Sequence, residues 1–201
     1  EDVKTISEEE AMEKGLLQYI GEDIDKVYIE KVKSLILRKE LVNEKAKDLN
    51  IIYTPIHGSG LMPIKRVLTE LGFEKLSIVK EQENPDGDFP TTPYPNPEAK
   101  QVFELALEMA KNINPDIIFG TDPDADRIGV IVKDNSGEYK VLTGNETGML
   151  LAHYMLKSLK DRNELPENAA VIKTIVTTEA VKNIVESFNA TLINTLTGFK
   201  Y

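Results

Sequence analysis

Cysteine is absent from all 201 residues. That excludes disulfides, zinc–thiolate sites and thiol nucleophiles. No apolar run approaches the roughly 20 residues that a membrane-crossing helix needs, so no membrane partner is expected. The opening residues, EDVKTISEEE, are acidic and polar and do not read as a signal peptide. The sequons Asn145-Glu146-Thr147 and Asn189-Ala190-Thr191 are then chance matches, and a cytoplasmic location is the expectation. Positive charge is in short supply: 24 basic residues face 34 acidic ones, for a net charge of −10. Such a chain repels a polyphosphate backbone, so nucleic acid is not an expected partner. A phosphorylated ligand requires a metal or local cations to reverse the sign at one site. No short-period repeat is visible.

What remains is ordinary globular material, 41% hydrophobic and 29% charged, long enough for one large domain or two small ones. Ser7 and Glu10 have capping-box spacing before a helix expected over residues 7–20, which Gly21 breaks. A second helix follows from Asp23, with Ile24, Tyr28, Val32, Leu35 and Ile36 on its apolar face. Strands then alternate with helices. Strands are expected at 51–54, 76–79 and 116–120, a hairpin at 128–132 and 139–142, and further strands at 170–175 and 191–194. Helices are expected at about 63–71, 97–112, 145–160 and 178–188. Five prolines between Glu83 and Glu98 exclude helix and central strand there. The alternation implies an α/β fold with a mixed, mainly parallel sheet flanked by helices, then part of a second similar unit beginning near Gly144.

The strongest chemical signal is Gly120-Thr121-Asp122-Pro123-Asp124-Ala125-Asp126-Arg127, directly after an expected strand. Three carboxylates at alternate positions can converge on one side of a looped backbone. Hard oxygen ligands suit Mg²⁺ or Ca²⁺, not Zn²⁺. Arg127 adds a planar cation able to hold a carboxylate or phosphate oxygen. Ligand sites in open α/β sheets lie beyond the carboxyl ends of strands. A solvated acidic turn is the plain alternative. An EF-hand fails, because its glycine position would be Arg127 and its terminal glutamate Lys133.

The loop resembles the metal loop of the α-D-phosphohexomutases, the phosphoglucomutase/phosphomannomutase family. Thr54-Pro55-Ile56-His57-Gly58-Ser59-Gly60 resembles the opening loop of that family's second domain. Glu83-Asn84-Pro85-Asp86-Gly87-Asp88-Phe89-Pro90 and Tyr94-Pro95-Asn96-Pro97-Glu98 resemble its proline-rich segment. Thr197-Gly198-Phe199-Lys200 resembles a turn in the third domain. The combination is most similar to the bacterial phosphoglucomutase branch. The resemblance implies a helical connector at 1–43, a second domain with the metal loop at 44–144, and an incomplete third domain at 145–201. The chain starts without Met and stops after a strand-like run, so a piece of a longer protein is expected, with the other domains of the same chain as its partners.

In that family a phosphoserine exchanges its phosphoryl group with a hexose phosphate, interconverting 1-phospho and 6-phospho sugars. The resemblance implies Mg²⁺ held by Asp122, Asp124 and Asp126, a phosphate- or loop-supporting Arg127, and a substrate-side loop at Thr197 and Gly198. The substrate implied is a hexose phosphate, glucose by preference. No Ser-His-Asn-Pro-like loop occurs in these residues, so no catalytic residue is expected here and the piece alone is expected to be inactive. One rival is a haloacid dehalogenase-like phosphatase with Asp122 as nucleophile and Asp124 as acid/base. The other is a non-catalytic metal- or sugar-phosphate-binding module. His57 reads first as a turn residue bonded to backbone, with a place near the active centre as the alternative. Gly58 and Gly60 read as servants of a tight turn or a close approach. His153 reads as a packed or surface helix residue, and Met149, Leu156 and Leu159 as core.

Overall fold

The computed structural model describes residues 4–198 and 200. The chain divides into two compact units, Glu1–Leu35 and Ile36–Tyr201. The first holds helices α1 (Glu8–Glu13) and α2 (Glu22–Ser34). The Ser7 hydroxyl caps α1 by accepting from the Glu10 N–H at 3.2 Å. The helix is shorter than the expected 7–20. Gly15 takes φ +66°, and the amides of Gly15 and Leu16 fold back on the carbonyls of Met12 and Ala11. That is a glycine-terminated helix end, reached before the polar–apolar pattern runs out. On α2 the expected apolar face is only partly covered, with Val32 and Ile36 half-buried. Ile24, Tyr28 and Leu35 are exposed, and the buried residue is Ile29, roughly a third of a turn away around the axis. Periodicity finds an apolar stripe but does not say which side is covered.

The second unit opens with α3 (Lys39–Lys45). A five-stranded sheet follows: β1 (Asn50–Thr54), β2 (Lys75–Ile78), β3 (Ile117–Thr121), β4 (Ile128–Lys133) and β5 (Tyr139–Leu142), in spatial order β2-β1-β3-β4-β5. β1 runs parallel to β2 and β3, while β3, β4 and β5 are successively antiparallel. The expected mixed α/β sheet is present. Helices α4 (Leu61–Glu70) and α5 (Glu104–Ile113) provide the crossovers. Pro63 lies in the first turn of α4, and Gly72, at φ +86°, ends it. α5 starts later than the expected 97. Asn96 forms a local turn instead, its side chain accepting from the Glu98 N–H and its carbonyl from the Ala99 N–H. Such side-chain-to-backbone bonds compete with helix. A short 3₁₀ turn, Lys100–Phe103, then leads in.

β1 is buried on both sides, as a parallel strand between helices must be, while β3 beside it is buried at Ile118, Gly120 and Thr121 and half-buried at Ile117 and Phe119. Ile52, Ile56, Val79, Val102, Phe103, Ile118 and Ile131 form their core. Gly120 is required by that packing, because a Cβ there would lie 2.9 Å from both the Phe103 ring and the Thr54 methyl.

Beyond the hairpin, α6 (Gly144–Asp161) begins with a complete capping box between Thr143 and Glu146. β6 (Ala170–Thr174) and β7 (Thr191–Thr195) pair in parallel, linked by α7 (Val181–Ser187). α7 starts after the expected 178 because the Thr178 hydroxyl takes the Ala180 N–H into a local turn. Leu156, Val181, Val185 and Ala190 are buried together, with Met149 packed against them. Arg38 reaches α6, donating to the buried Ser158 hydroxyl at 2.8 Å. Among the described residues, no helix is long and apolar enough to cross a membrane.

Two outcomes follow from the packing. Phe103→Ala leaves a cavity at a fully buried site and should cost about 3–5 kcal/mol in a urea titration. A loss below about 1 kcal/mol would contradict this core. Hydrogen exchange should be faster in β6 and β7, which form a two-stranded sheet, than in the central β1 and β3. Uniform protection would contradict that ranking.

Candidate metal centre

β3 ends at Thr121 and β4 begins at Ile128, and those two residues pair across the ladder. The six residues between them form the acidic loop. Asp122 is 1% exposed. A carboxylate so placed must be hydrogen-bonded. Arg127 provides both partners: its backbone N–H donates to Oδ1 at 2.9 Å and its Nε–H to Oδ2 at 2.8 Å. The Ala125 N–H donates to the Asp122 carbonyl at 2.9 Å, closing a turn, and Ala125 itself takes φ +59°. Folded this way, the loop gathers Asp122, Asp124 and Asp126 so that one oxygen of each lies within 4.8 Å of the others. Asp124 and Asp126 face solvent.

The electrostatics follow from this arrangement. Burial pushes the Asp122 carboxyl up, but the backbone and side-chain hydrogen bonds and the charge of Arg127 outweigh it and hold it below the ordinary carboxylate value. Asp126 is raised, first by sharing a hydrogen bond with Asp122 and then by the charge of Asp124. Arg127 is raised by Asp122. Three close carboxylates form an all-oxygen donor set, which fits a hard divalent cation. Each Asp122 oxygen gives one lone pair to Arg127 and keeps another.

Support comes from the loop after β1. Ser59 N–H and Ser59 Oγ–H both donate to the Pro123 carbonyl, at 2.8 and 3.1 Å. A Cβ at Gly58 would meet Pro123 Cα at 2.4 Å, and one at Gly60 would meet the Thr121 and Tyr53 hydroxyls at 2.8 Å. The two backbones touch, so glycine is needed for close approach. Tyr53 and Thr121 share a hydrogen bond of 2.9 Å beneath the loop. The glycines are visible in the sequence, but their target, some 60 residues on, is not.

His57 is buried and faces the proline-rich segment. The Asn84 carbonyl can only accept, so Nδ1 donates to it at 3.2 Å and Nε2 accepts from the Thr91 hydroxyl at 2.9 Å. Thr91 accepts in turn from Gln82, whose Oε1 takes the Thr54 hydroxyl at 2.6 Å. The turn-residue reading of His57 agrees with its bond to backbone, although Thr91 is an added side-chain partner. Gln82 and Thr91 carried no local signal. His153 is exposed on α6, its ring edge-on to Phe188 at 5.7 Å. Thr197 and Gly198 lie in the bend after β7, beside the other sheet, with Gly198 at φ +98°. Phe199 of that motif lies outside the described residues.

Fold and site together define an open α/β domain with a cluster of three carboxylates beyond the carboxyl end of a central strand. The family model "Phosphoglucomutase/phosphomannomutase, alpha/beta/alpha domain II" matches residues 26–137, and that of domain III matches 143–201. The chain belongs to the phosphoglucomutase/phosphomannomutase family. It is 35% identical over 190 residues to a phosphoglucomutase of Staphylococcus saprophyticus, covering 94% of this chain and 33% of that one. It is also 35% identical over 200 residues to a phosphoribomutase of Saccharomyces cerevisiae, covering 95% and 32%. The chain thus spans about a third of the length of these relatives. Among solved structures, a putative phosphomannomutase from Thermus thermophilus superposes with a TM-score of 0.64 at 21% identity, over 91% of this chain and 38% of that one. An Aspergillus fumigatus N-acetylphosphoglucosamine mutase, in complex with GlcNAc-6P and magnesium, gives 0.51 at 16% identity, over 82% and 32%.

The Asp122–Arg127 lock carries a pH signature. A carboxyl held below its unfolded value stabilises the fold above the unfolded pKa, and that contribution is lost as pH falls through the folded value. Arg127→Ala should raise the Asp122 titration midpoint measured by NMR. It should cost about 1–3 kcal/mol at neutral pH and weaken this part of the acid dependence. An unmoved Asp122 midpoint would contradict the lock.

Proposed function

We propose that this chain supplies the metal-binding portion of a hexose-phosphate mutase that interconverts hexose 1-phosphate and hexose 6-phosphate through a phosphoserine and Mg²⁺. The observation that carries the reading is the convergence of Asp122, Asp124 and Asp126 at the carboxyl end of β3. Mg²⁺ is supported by the hard-oxygen donor set. It is also the metal in the solved complex of the Aspergillus mutase, which shares the fold.

Asp122, Asp124 and Asp126 would hold the cation, which when bound spreads the charge that builds on a transferring phosphoryl group. Arg127 uses its Nε to brace Asp122 at 2.8 Å, and the same Nε lies 3.6 Å from an Asp126 oxygen. We assign it first to loop support and second to positioning the same phosphate. Thr197 and Gly198 are proposed as a substrate-side loop. The serine would come from another part of the protein, because no Ser-His-Asn-Pro-like loop is present in these residues. We propose 44–144 as the metal-bearing domain, 145–201 as part of a third domain and 1–43 as a connector. The relatives named for glucose and for ribose phosphates are equally similar at 35%, and we propose glucose from the motif set.

The phosphatase rival would need Asp122 as nucleophile. Both of its oxygens are engaged by Arg127, and in the present reading the lone pairs that remain are given to the cation.

The chain alone should show no mutase turnover with a hexose 1-phosphate, Mg²⁺ and a trace of hexose 1,6-bisphosphate. Turnover above buffer that disappears in Asp124→Asn would instead make it a self-sufficient enzyme. A magnesium titration should shift the amides of residues 121–128 first. Dissociation should be near the millimolar range, about 4 kcal/mol of binding, because water must stand in for a phosphate oxygen. Unchanged binding in an Asp122/Asp124/Asp126 triple Asn variant would remove the ligand assignment.

A further inference from the structure

Pro123 sits between the first two carboxylates, and its torsions set how they face each other. Its ring fixes φ near about −65°, leaving ψ as the soft torsion between Asp122 and Asp124. The direction of the Pro123 carbonyl reports that ψ. Ser59 holds this carbonyl with two donors, N–H at 2.8 Å and Oγ–H at 3.1 Å. Gly58 brings the backbones so close that a Cβ would overlap Pro123 Cα at 2.4 Å. Upstream, the loop is fixed as well: the His57 N–H donates to the Gln82 carbonyl at 3.0 Å, and the His57 ring is tied to Asn84 and Thr91. The acidic loop is therefore clamped from outside at the link between its first two ligands, as well as internally by Arg127.

Rigidity of this kind discriminates between cations. Mg²⁺ requires near-ideal octahedral oxygens at about 2.0–2.1 Å, whereas Ca²⁺ accepts about 2.3–2.6 Å and flexible geometry. Opposite ligands around Mg²⁺ are about 4.2 Å apart, and the three carboxylate oxygens here spread to at most 4.8 Å. A small inward rotation of the exposed Asp124 and Asp126 closes that gap only if the backbone carrying them stays put. We infer that Ser59 is a positioning residue of the cation loop: by pinning the Pro123 carbonyl against the close-packed Gly58 turn, it sets the preference of the Asp122–Asp124–Asp126 site for Mg²⁺ over Ca²⁺. The inference rests on the metal reading of the loop given above.

The test uses the full 201-residue chain with Ser59→Ala, Ser59→Thr and Asp124→Asn, in two arms. In the first, without added metal, ¹⁵N relaxation should show lower order at Asp124 and Ala125 in Ser59→Ala, with order restored in Ser59→Thr. Identical order in Ser59→Ala and the parent overturns the pin. In the second arm, Mg²⁺ and Ca²⁺ titrations followed at the amides of 121–128 should show Mg²⁺ affinity falling about three- to tenfold in Ser59→Ala while Ca²⁺ affinity changes less than twofold. Ser59→Thr should regain the parent ratio. Equal losses for both ions, or none, overturn the selectivity role. A parent chain whose loop amides ignore both ions, or an Asp124→Asn variant that binds as the parent does, overturns the metal reading itself and the selectivity role with it. The first arm still decides the pin in that case. Chemical denaturation of each variant separates a loosened loop from a weakened fold.

Discussion

A carboxylate almost wholly removed from water at the end of a central strand must be met by donors, and Asp122 meets them in Arg127. This contact shapes everything around it. Arg127 lies five residues on, so reaching back to Asp122 fixes the length of the connection and turns the chain into β4. Thr121 then pairs with Ile128, and the β3–β4 register follows. The same fold-back leaves Asp124 and Asp126 in solvent while keeping their oxygens within reach of Asp122. A guanidinium paired with one carboxylate lets three acidic groups coexist in a chain with a net charge of −10. The arrangement leaves a residual concentration of negative charge, of the kind a divalent cation would relieve.

The second constraint is steric. The turn after β1 and the acidic loop meet backbone to backbone at Gly58 and Pro123, and Gly60 leaves room for the Thr121 and Tyr53 hydroxyls. Beneath them, Tyr53 and Thr121 share a hydrogen bond, and burial pushes the Tyr53 phenol up to about 12, so it stays neutral. To one side, the Thr54–Gln82–Thr91–His57 chain of hydrogen bonds ties the proline-rich segment to the same turn. Every member is satisfied, the condition under which a buried polar network rigidifies rather than weakens a structure. Two neighbouring strand ends of one sheet, β1 and β3, thus hold the acidic loop in a fixed shape on a core of Ile52, Ile118 and Phe103.

Much of this was legible in the sequence, and the exceptions have physical causes. The buried strands read clearly because short apolar runs bounded by glycine and proline permit little else, and each lies within about one residue of its expected limits. The acidic loop read clearly because its chemistry is local: three carboxylates and an arginine in consecutive positions declare themselves. Helix ends read poorly wherever a local turn outcompeted the periodic pattern, as at Gly15, Asn96 and Thr178. The buried side of α2 was read only in part: Val32 and Ile36 of the expected stripe are half-buried, while Ile24, Tyr28 and Leu35 are exposed and Ile29 takes the covered position. The contact between Ser59 and Pro123 was illegible for a different reason. It joins residues 64 apart, and a Gly-Ser-Gly turn names no partner.

The central claim is that the connection between β3 and β4 is a site for a hard divalent cation. The most direct measurement replaces Mg²⁺ with paramagnetic Mn²⁺, which shares its preference for octahedral oxygen ligands. Substoichiometric Mn²⁺ should broaden the backbone amides of residues 121–128 and those of the adjoining Gly58–Gly60 turn before any others, and excess Mg²⁺ should reverse the effect. Broadening centred on another acidic stretch, such as the exposed glutamates of α1, with the β3–β4 connection left sharp, would contradict the account.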